Sequence, residues 1–292
     1  MKKHAGALAQ EIEKKISVLY PGPIAQHNAW ILLEHLTQSD QAHLIALDQI
    51  ELSSEQQKKL DQWILLLTQQ HMPLQYLLGN VPFIDIKILV EPPVLIPRPE
   101  TEEWCDTLIT ELKRTLKAEL KILDLCTGSG CIGLSLAKAF PQSMVYATDT
   151  EQYALSLAQK NATLNHIQNI VFLASDVYEA IPHDQKYDLI VANPPYITQE
   201  EWPMLEPEVK NWEASHALVA PDNGLAVINK IITGARAHLK PNSITIPQLW
   251  IEIGYQQGRQ VSELFKQAGF VDVEVLQDWY SKDRVVIGKL PS

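Results

Sequence analysis

The chain has 292 residues, 46% of them hydrophobic, with 24 Lys and Arg against 35 Asp and Glu and a formal net charge of −11. That length fits one large or two modest domains with a real core. No apolar run reaches the roughly 18 residues that span a bilayer, three cysteines cannot form a disulfide framework and fit a reduced cytosol, and so acidic a chain is a poor match for non-specific nucleic-acid binding.

The start, "MKKHAGALAQEIEKK", carries lysines but no apolar stretch behind them, so no secretory leader and a cytoplasmic location are expected. Residues 1–72 read as a small helical bundle. "GALAQEIEKKISVLY" sets Leu8, Ile12, Ile16 and Leu19 at helical spacing, and "AWILLEHLT" and "QAHLIAL" are short apolar helical segments. Ser53 with Gln56 three residues on is a capping-box pattern opening "SSEQQKKLDQWILLLTQQH".

Residues 73–100 change character and predict a hairpin followed by a proline-rich linker. Gly79-Asn80 marks a turn, and "FIDIKILV" alternates apolar and polar residues as a strand does. "EPPVLIPRPE" then packs four prolines into ten residues, the composition of a stiff linker.

From 101 to 292 strands and helices alternate. "KILDLC", "MVYATD", "IVFLAS" and "DLIVAN" are short apolar runs, and "EEWCDTLITELKRTL", "CIGLSLAKAF" and "YALSLAQKNATL" read as helices. This predicts an α/β fold with a mostly parallel sheet covered on both faces. Near the end, "VDVEVLQDW" and "RVVIGKL" are strands joined only by "YSKD", a link short enough to force an antiparallel pair. Cys126 and Cys131 have no second Cys or His pair at ligand spacing, so no metal is expected.

"ILDLCTGSGCIG" follows the first sheet strand and opens a helix. Gly128, Gly130 and Gly133 match the dinucleotide fingerprint, and Asp149 ends the next strand about 20 residues on, where an acid can bind ribose hydroxyls. The pattern specifies an adenosine cofactor better than it specifies which one. Asp124, just before the loop, can orient it or receive an ammonium group. S-adenosylmethionine is favoured over a nicotinamide cofactor by what ends the fourth strand, the tetrad Asn193-Pro194-Pro195-Tyr196. Ligands of open α/β sheets lie beyond the carboxyl ends of the strands, so Asn193 is expected in the cofactor crevice.

A planar NH2 group is a poor nucleophile because its lone pair is delocalised. Two acceptors on its two hydrogens hold it and favour positive charge as it takes a methyl. The Asn193 side-chain oxygen and the Pro194 carbonyl are candidates, with Tyr196 as a flat face for the planar group. No base is needed beforehand, since the proton can leave afterwards. This chemistry suits the N6 amine of adenine and the side-chain amide of Gln equally.

"PLQYLLG", "LIPRPETEEW", "DLCTGSGCIGLSLA", "DLIVANPPYI", "DNGL", "IEIGYQQG" and "DRVVIGKL" together resemble the PrmC/HemK family over nearly the whole chain. These are protein-(glutamine-N5) methyltransferases that modify the Gly-Gly-Gln loop of peptide chain release factors, with a class I S-adenosylmethionine-dependent fold. The resemblance implies cofactor contacts at Cys126, Thr127, Gly128, Ser129, Gly130, Asp149, Asp176, Val177 and Asn193. It implies a Gln-binding tetrad at Asn193 to Tyr196, and a helical N-terminal domain that helps grip the release factor. Cys126 stands where glycine is common, Val177 where an aromatic is frequent, and "DWYSKDR" lacks the family's usual Gly.

Three other readings compete. An adenine-N6 methyltransferase on DNA or RNA is disfavoured by Glu200, Glu201, Glu206, Glu208 and Glu213, acids expected to cluster at the pocket mouth and repel phosphates. A non-catalytic binding module has no reason to keep both Asp149 and Asn193. A dinucleotide oxidoreductase has no use for the tetrad. The histidines, His216 among them, have no partner at catalytic spacing and read as surface or core residues.

Overall fold

The computed structural model describes residues 3–47, 49–115, 119–241 and 243–291. The chain divides into two compact units: residues 1–79 with 206–212, and residues 80–205 with 213–292.

The first unit is helical: α1 (Ala5–Ile16), α2 (Gly22–Thr37), α3 (Gln41–Ala46), α4 (Ser54–Gln70) and α5 (Leu74–Leu78). Leu8, Ile12, Ile16, Leu32, Leu33, Leu60 and Leu67 form its core. α1 stops at Ile16, three residues short of Leu19. Pro21 follows, and a residue before proline is pushed out of helical geometry. The capping box forms: Ser53 Oγ accepts from the Gln56 amide at 3.1 Å, and the Ser53 amide donates to Gln56 Oε1 at 2.9 Å.

The second unit opens with a hairpin, β1 (Asn80–Phe83) and β2 (Ile86–Leu89). "FIDIKILV" is therefore not one strand. It breaks at Ile84-Asp85, where Ile84 adopts φ +51 and donates its amide to Glu102 Oε1. The proline run after it is no free linker. Val90, Val94 and Ile96 are buried, and the Pro93 carbonyl accepts from the Ala214 amide at 2.9 Å.

The larger sheet contains β3 (Lys121–Leu125), β4 (Met144–Asp149), β5 (Ile170–Ala174), β6 (Leu189–Ala192), β7 (Leu249–Glu252), β8 (Val271–Gln277) and β9 (Asp283–Lys289). The order is β5-β4-β3-β6-β7-β9-β8, and β9 alone runs against its neighbours, as the short link before it requires. Strands β6 and β7 are buried at every residue, the mark of a parallel sheet covered on both faces. The covering helices are α6 (Pro99–Thr115), α7 (Cys131–Ala139), α8 (Gln152–Leu164), α11 (Ala226–His238) and α12 (Gly258–Gln267); between β6 and α11 in the chain lie the short α9 (Pro207–Trp212), which belongs to the helical unit, and α10 (Pro221–Gly224). The order reverses between β3 and β6. Register sets Leu125 beside Thr148 and Ala192, and Ala192 beside Ile251, so the carboxyl ends of these strands share one edge. That is where a crevice opens.

Candidate active site

The turn from β3 into α7 is organised by two carboxylates. Asp124, wholly buried, accepts from Thr127 Oγ1 at 2.5 Å and from the Gly133 amide at 3.0 Å. It thereby satisfies a free amide in the first turn of α7 and complements the positive end of the helix. Of its two expected roles, orienting the loop is the one seen. Burial pushes its carboxyl up to about 7, against the opposing pull of the Thr127 and Gly133 bonds. Its second oxygen, Oδ1, has no partner among the described residues.

Asp149, at the end of β4, accepts from the Gly128 amide at 2.9 Å and the Glu151 amide at 3.0 Å. Burial raises its carboxyl above the ordinary range, and those two bonds oppose the rise. Each oxygen keeps a lone pair for a further donor.

The glycines have different tasks. A Cβ on Gly128 would meet nothing within 4 Å, so this position leaves open room on the crevice. A Cβ on Gly133 would come within 2.8 Å of Asp124 Oδ2, so that glycine permits close packing. Cys126, where glycine is common in the family it resembles, has φ +58, a conformation that costs a residue with a Cβ on the order of 1 kcal/mol.

The crevice encloses about 310 Å³ and is lined by Cys126, Gly128, Asp149, Asp176, Val177, Asn193 and Pro195, together with Val94, Leu95, Tyr153 and His216. Of the expected cofactor residues, Thr127 and Ser129 lie behind this surface, buried, and Gly130 caps α7. Lys230 pairs with Asp176 at 2.8 Å. Val177 is buried and offers no ring.

The tetrad is split. Asn193 and Pro195 face the crevice, Pro194 is buried, and the Tyr196 ring turns toward β7, with its hydroxyl 3.5 Å from Glu252 Oε1. Burial first, then Glu252, pushes the Tyr196 phenol above its ordinary range. Its backbone is pinned: the Tyr196 and Ile197 amides donate to the Leu218 carbonyl, and Gln257 Nε2 donates to the Tyr196 carbonyl at 3.0 Å.

Three other residues lie inside "LIPRPETEEW" and "IEIGYQQG" but had no role read for them in the sequence. Thr101 and Trp104 on α6 both donate to Glu252 Oε2, at 2.7 and 2.8 Å. His216, read as a surface or core residue, is exposed, with Nε2 2.9 Å from the Tyr153 hydroxyl at the crevice. Nor do the five acids downstream of the tetrad form one patch. Glu213 is buried and paired with Arg98, while Glu206 and Glu208 belong to the helical unit, where Glu208 accepts from the Tyr20 hydroxyl at 3.0 Å. Only Glu200 and Glu201 remain as exposed acids of the larger unit in that stretch.

The donor set fits an adenosyl amino-acid ligand. A strand-end carboxylate with spare acceptor capacity suits vicinal hydroxyls, and the open Cβ position of Gly128 leaves room beside it. Among the described residues no group of His, Cys, Asp or Glu is arranged to hold a metal, and no helix is long and apolar enough to cross a membrane.

A profile for the methyltransferase small domain matches residues 101–207, and one for the PrmC N-terminal domain matches residues 17–79. A release factor glutamine methyltransferase of Escherichia coli is 36% identical over 280 residues, covering 95% of this chain and 97% of its own. Proteins of the same description from Thermodesulfovibrio yellowstonii and Lactococcus lactis are 36% and 40% identical, covering 84% and 79% of this chain and 88% and 84% of theirs. A 16S rRNA methyltransferase of T. thermophilus, solved with AdoMet and guanosine, superposes with a TM-score of 0.53 at 18% identity, over 73% of this chain and 50% of that one. A methyltransferase from Pyrococcus furiosus gives 0.50 at 15% identity, over 82% and 100%. These two structures share the fold, that of the class I methyltransferases.

Proposed function

This chain belongs to the release factor glutamine methyltransferase family, and on that premise we propose that it methylates the side-chain amide nitrogen of the Gln in the Gly-Gly-Gln loop of a peptide chain release factor. The observation that carries this reading is the meeting of Asn193 with Gly128 and Asp149 on one crevice. An acceptor for a planar amide thus lies beside a site built for an adenosyl group.

S-adenosylmethionine, when bound, supplies a methyl group on a positively charged sulfur. Asp149 would accept from its ribose hydroxyls, the loop from Cys126 to Gly130 would give it backbone rather than side-chain bulk to pack on, and Asp176 and Val177 would help to hold it. Asn193 Oδ1 and the Pro194 carbonyl take the two hydrogens of the substrate amide. Held this way, the nitrogen turns its lone pair toward the methyl and loses its resonance with the carbonyl as positive charge grows. The nitrogen would gain one methyl as the methyl's bond to the sulfonium breaks and leaves a neutral thioether, and would release one proton to solvent, so no side chain is required as a base. Pro195 closes the apolar side of the pocket, while the Tyr196 ring, turned toward β7, offers the amide no flat face.

Residues 1–72 grip the body of the release factor, the stretch from 73 to 100 leads into the catalytic part, and residues 101–292 bind the cofactor and do the chemistry. The site of action is the cytoplasm, where release factors work. The partner is a protein, with no stable nucleic-acid or membrane contact. Mass spectrometry of a release factor incubated with enzyme and cofactor tests the reading. One added methyl on the Gly-Gly-Gln glutamine is expected. A methyl found on DNA or RNA and none on the protein overturns it.

A further inference from the structure

The two ends of an asparagine amide are almost the same shape, so the shape of a pocket does not decide which way round it stands. The methyl transfer read above needs the Asn193 oxygen outward. Something must fix that choice, and hydrogen-bond polarity can.

Trp104 Nε1 can only donate, and it donates to Glu252 Oε2 at 2.8 Å. The same oxygen accepts from the Thr101 hydroxyl at 2.7 Å. With Thr101 and Trp104 both donating to it, that oxygen serves as the acceptor of the carboxyl, ionised or with its proton on Oε1. Thr101 has one hydroxyl proton, now committed, so it offers only lone pairs to its other neighbour. That neighbour is Asn193, whose Nδ2 stands 3.3 Å from Thr101 Oγ1. With the amide reversed, its oxygen would face a lone pair. Thr101 and Glu252 are each 1% exposed, so solvent cannot supply a substitute proton.

We propose that Thr101 is a positioning residue that sets the orientation of the Asn193 amide, turning NH2 inward and the oxygen toward the substrate nitrogen. Glu252 and Trp104 set the polarity of Thr101 in turn. Three elements that are distant in sequence, α6, β7 and the end of β6, thus fix one rotational choice at the reacting centre. The proposal rests on the methyl-transfer reading for its purpose, but not for its geometry.

The test compares the native chain with Thr101→Val, which keeps the shape and removes the hydroxyl, and Thr101→Ser, which keeps the hydroxyl. Two properties are read. The first is the pair of Asn193 side-chain amide signals by NMR in asparagine-labelled protein without cofactor, assigned by their loss in Asn193→Asp. The second is the single-turnover methylation rate with cofactor and release factor saturating. Thermal midpoint and affinity for S-adenosylhomocysteine serve as controls. In Val the hydrogen-bonded amide proton should move to its solvent position, and the rate should fall about 10- to 100-fold at saturation. S-adenosylhomocysteine affinity should stay in place, and the thermal midpoint, lowered by the lost donor to buried Glu252, should stay well above the assay temperature. Serine should keep the amide signal and restore most of the rate. Amide signals unmoved by Val overturn the proposal, as does an equal loss of rate in Val and Ser. A native enzyme that labels no release factor sinks the methyl-transfer reading instead, while the amide signals still decide the orientation.

Discussion

Arg98 donates from one guanidinium nitrogen to both carboxylate oxygens of Glu213, at 2.8 and 2.7 Å, tying the proline-rich run to the segment beyond the tetrad. The Glu213 side chain is 1% exposed, while that of Arg98 is 32% exposed. Burial raises the Glu213 carboxyl, and Arg98 pulls it back. Arg98→Ala leaves a buried acid without its cation and should cost about 3 kcal/mol at pH 7, near the lower end for a buried pair because Arg98 is partly solvated. The sign with pH follows from the raised carboxyl. Its protonated form is the better one in the fold, and in the variant more so, so the deficit should shrink as pH falls toward the ordinary Glu range. Denaturant midpoints at pH 7 and pH 4.5 check this. An equal deficit at both would mean the pair is not the cause.

Asp124 gives a second pH signature. Its carboxyl sits at about 7 in the fold, raised from 3.8. Below the lower value both folded and unfolded chains hold the proton. Between the two values only the folded chain does, so stability falls as pH rises, by on the order of 4 kcal/mol across the window. Above 7 the effect is complete. Asp124→Asn should remove that slope, and the native-minus-variant difference should flatten outside the window. A difference curve that is flat from pH 4 to 7 refutes the assignment.

Asp149→Ala should weaken S-adenosylmethionine binding by about 1.5–3 kcal/mol, the usual loss for hydrogen bonds to a charged group. Part of that loss will come from the loop, because Asp149 also holds the Gly128 amide. Calorimetry with S-adenosylmethionine and with NADH separates the cofactor classes. NADH binding without S-adenosylmethionine binding would contradict the family assignment.

Asn193→Ala should lower the methylation rate by about 10²–10³ with the fold intact. Cofactor affinity should fall far less, since Gly128 and Asp149 remain. Asn193→Asp keeps an acceptor but loses the donor that faces Thr101 and adds a charge, so its rate should lie between Ala and native. Single-turnover rates with both substrates saturating decide it. A native rate for Ala removes the two-acceptor mechanism.

Gly224→Ala should be among the most damaging single changes outside the crevice. Gly224 has φ +79, and a Cβ there would stand 2.0 Å from the Tyr196 carbonyl oxygen. The backbone strain alone costs about 1–2 kcal/mol, and the clash pushes on the tetrad. Lower thermal stability and a lower rate should therefore appear together. A variant that loses neither shows that the tetrad backbone can give way freely.

The parallel sheet was legible because β6 and β7 are short apolar runs without alternation, as double-sided burial demands. The cofactor loop was legible because Gly128 follows β3 and Asp149 ends β4, the next strand, which fixes their spacing. The hairpin turn was not, because the apolar-polar alternation of "FIDIKILV" runs straight through Ile84-Asp85. Helix α11 went unnamed although Ile228, Ile231, Ile232 and Ala235 are spaced for one buried face. Thr101 and Glu252 were invisible as a pair because they lie 151 residues apart in the chain. Each alone left a trace: Thr101 stands inside "LIPRPETEEW", and Glu252 is an acid inside "LWIE", a strand otherwise fit for complete burial, where it needs partners.

Residues 206–212 have further consequences for inheritance. They pack with residues 1–79, through Glu208 accepting from Tyr20 and Trp212 Nε1 donating to the Gln70 carbonyl at 2.9 Å, while both flanks belong to the other unit. The chain therefore changes unit after 79, after 205 and after 212. A recombination event with one crossover near residue 79 would join one parent's Tyr20 and Gln70 to another parent's Glu208 and Trp212. Chimeras of that kind inherit mismatched halves of a single packing surface. Exchange that also carries 206–212 transmits the surface whole, so the helical unit descends as two separated stretches of gene that must change together.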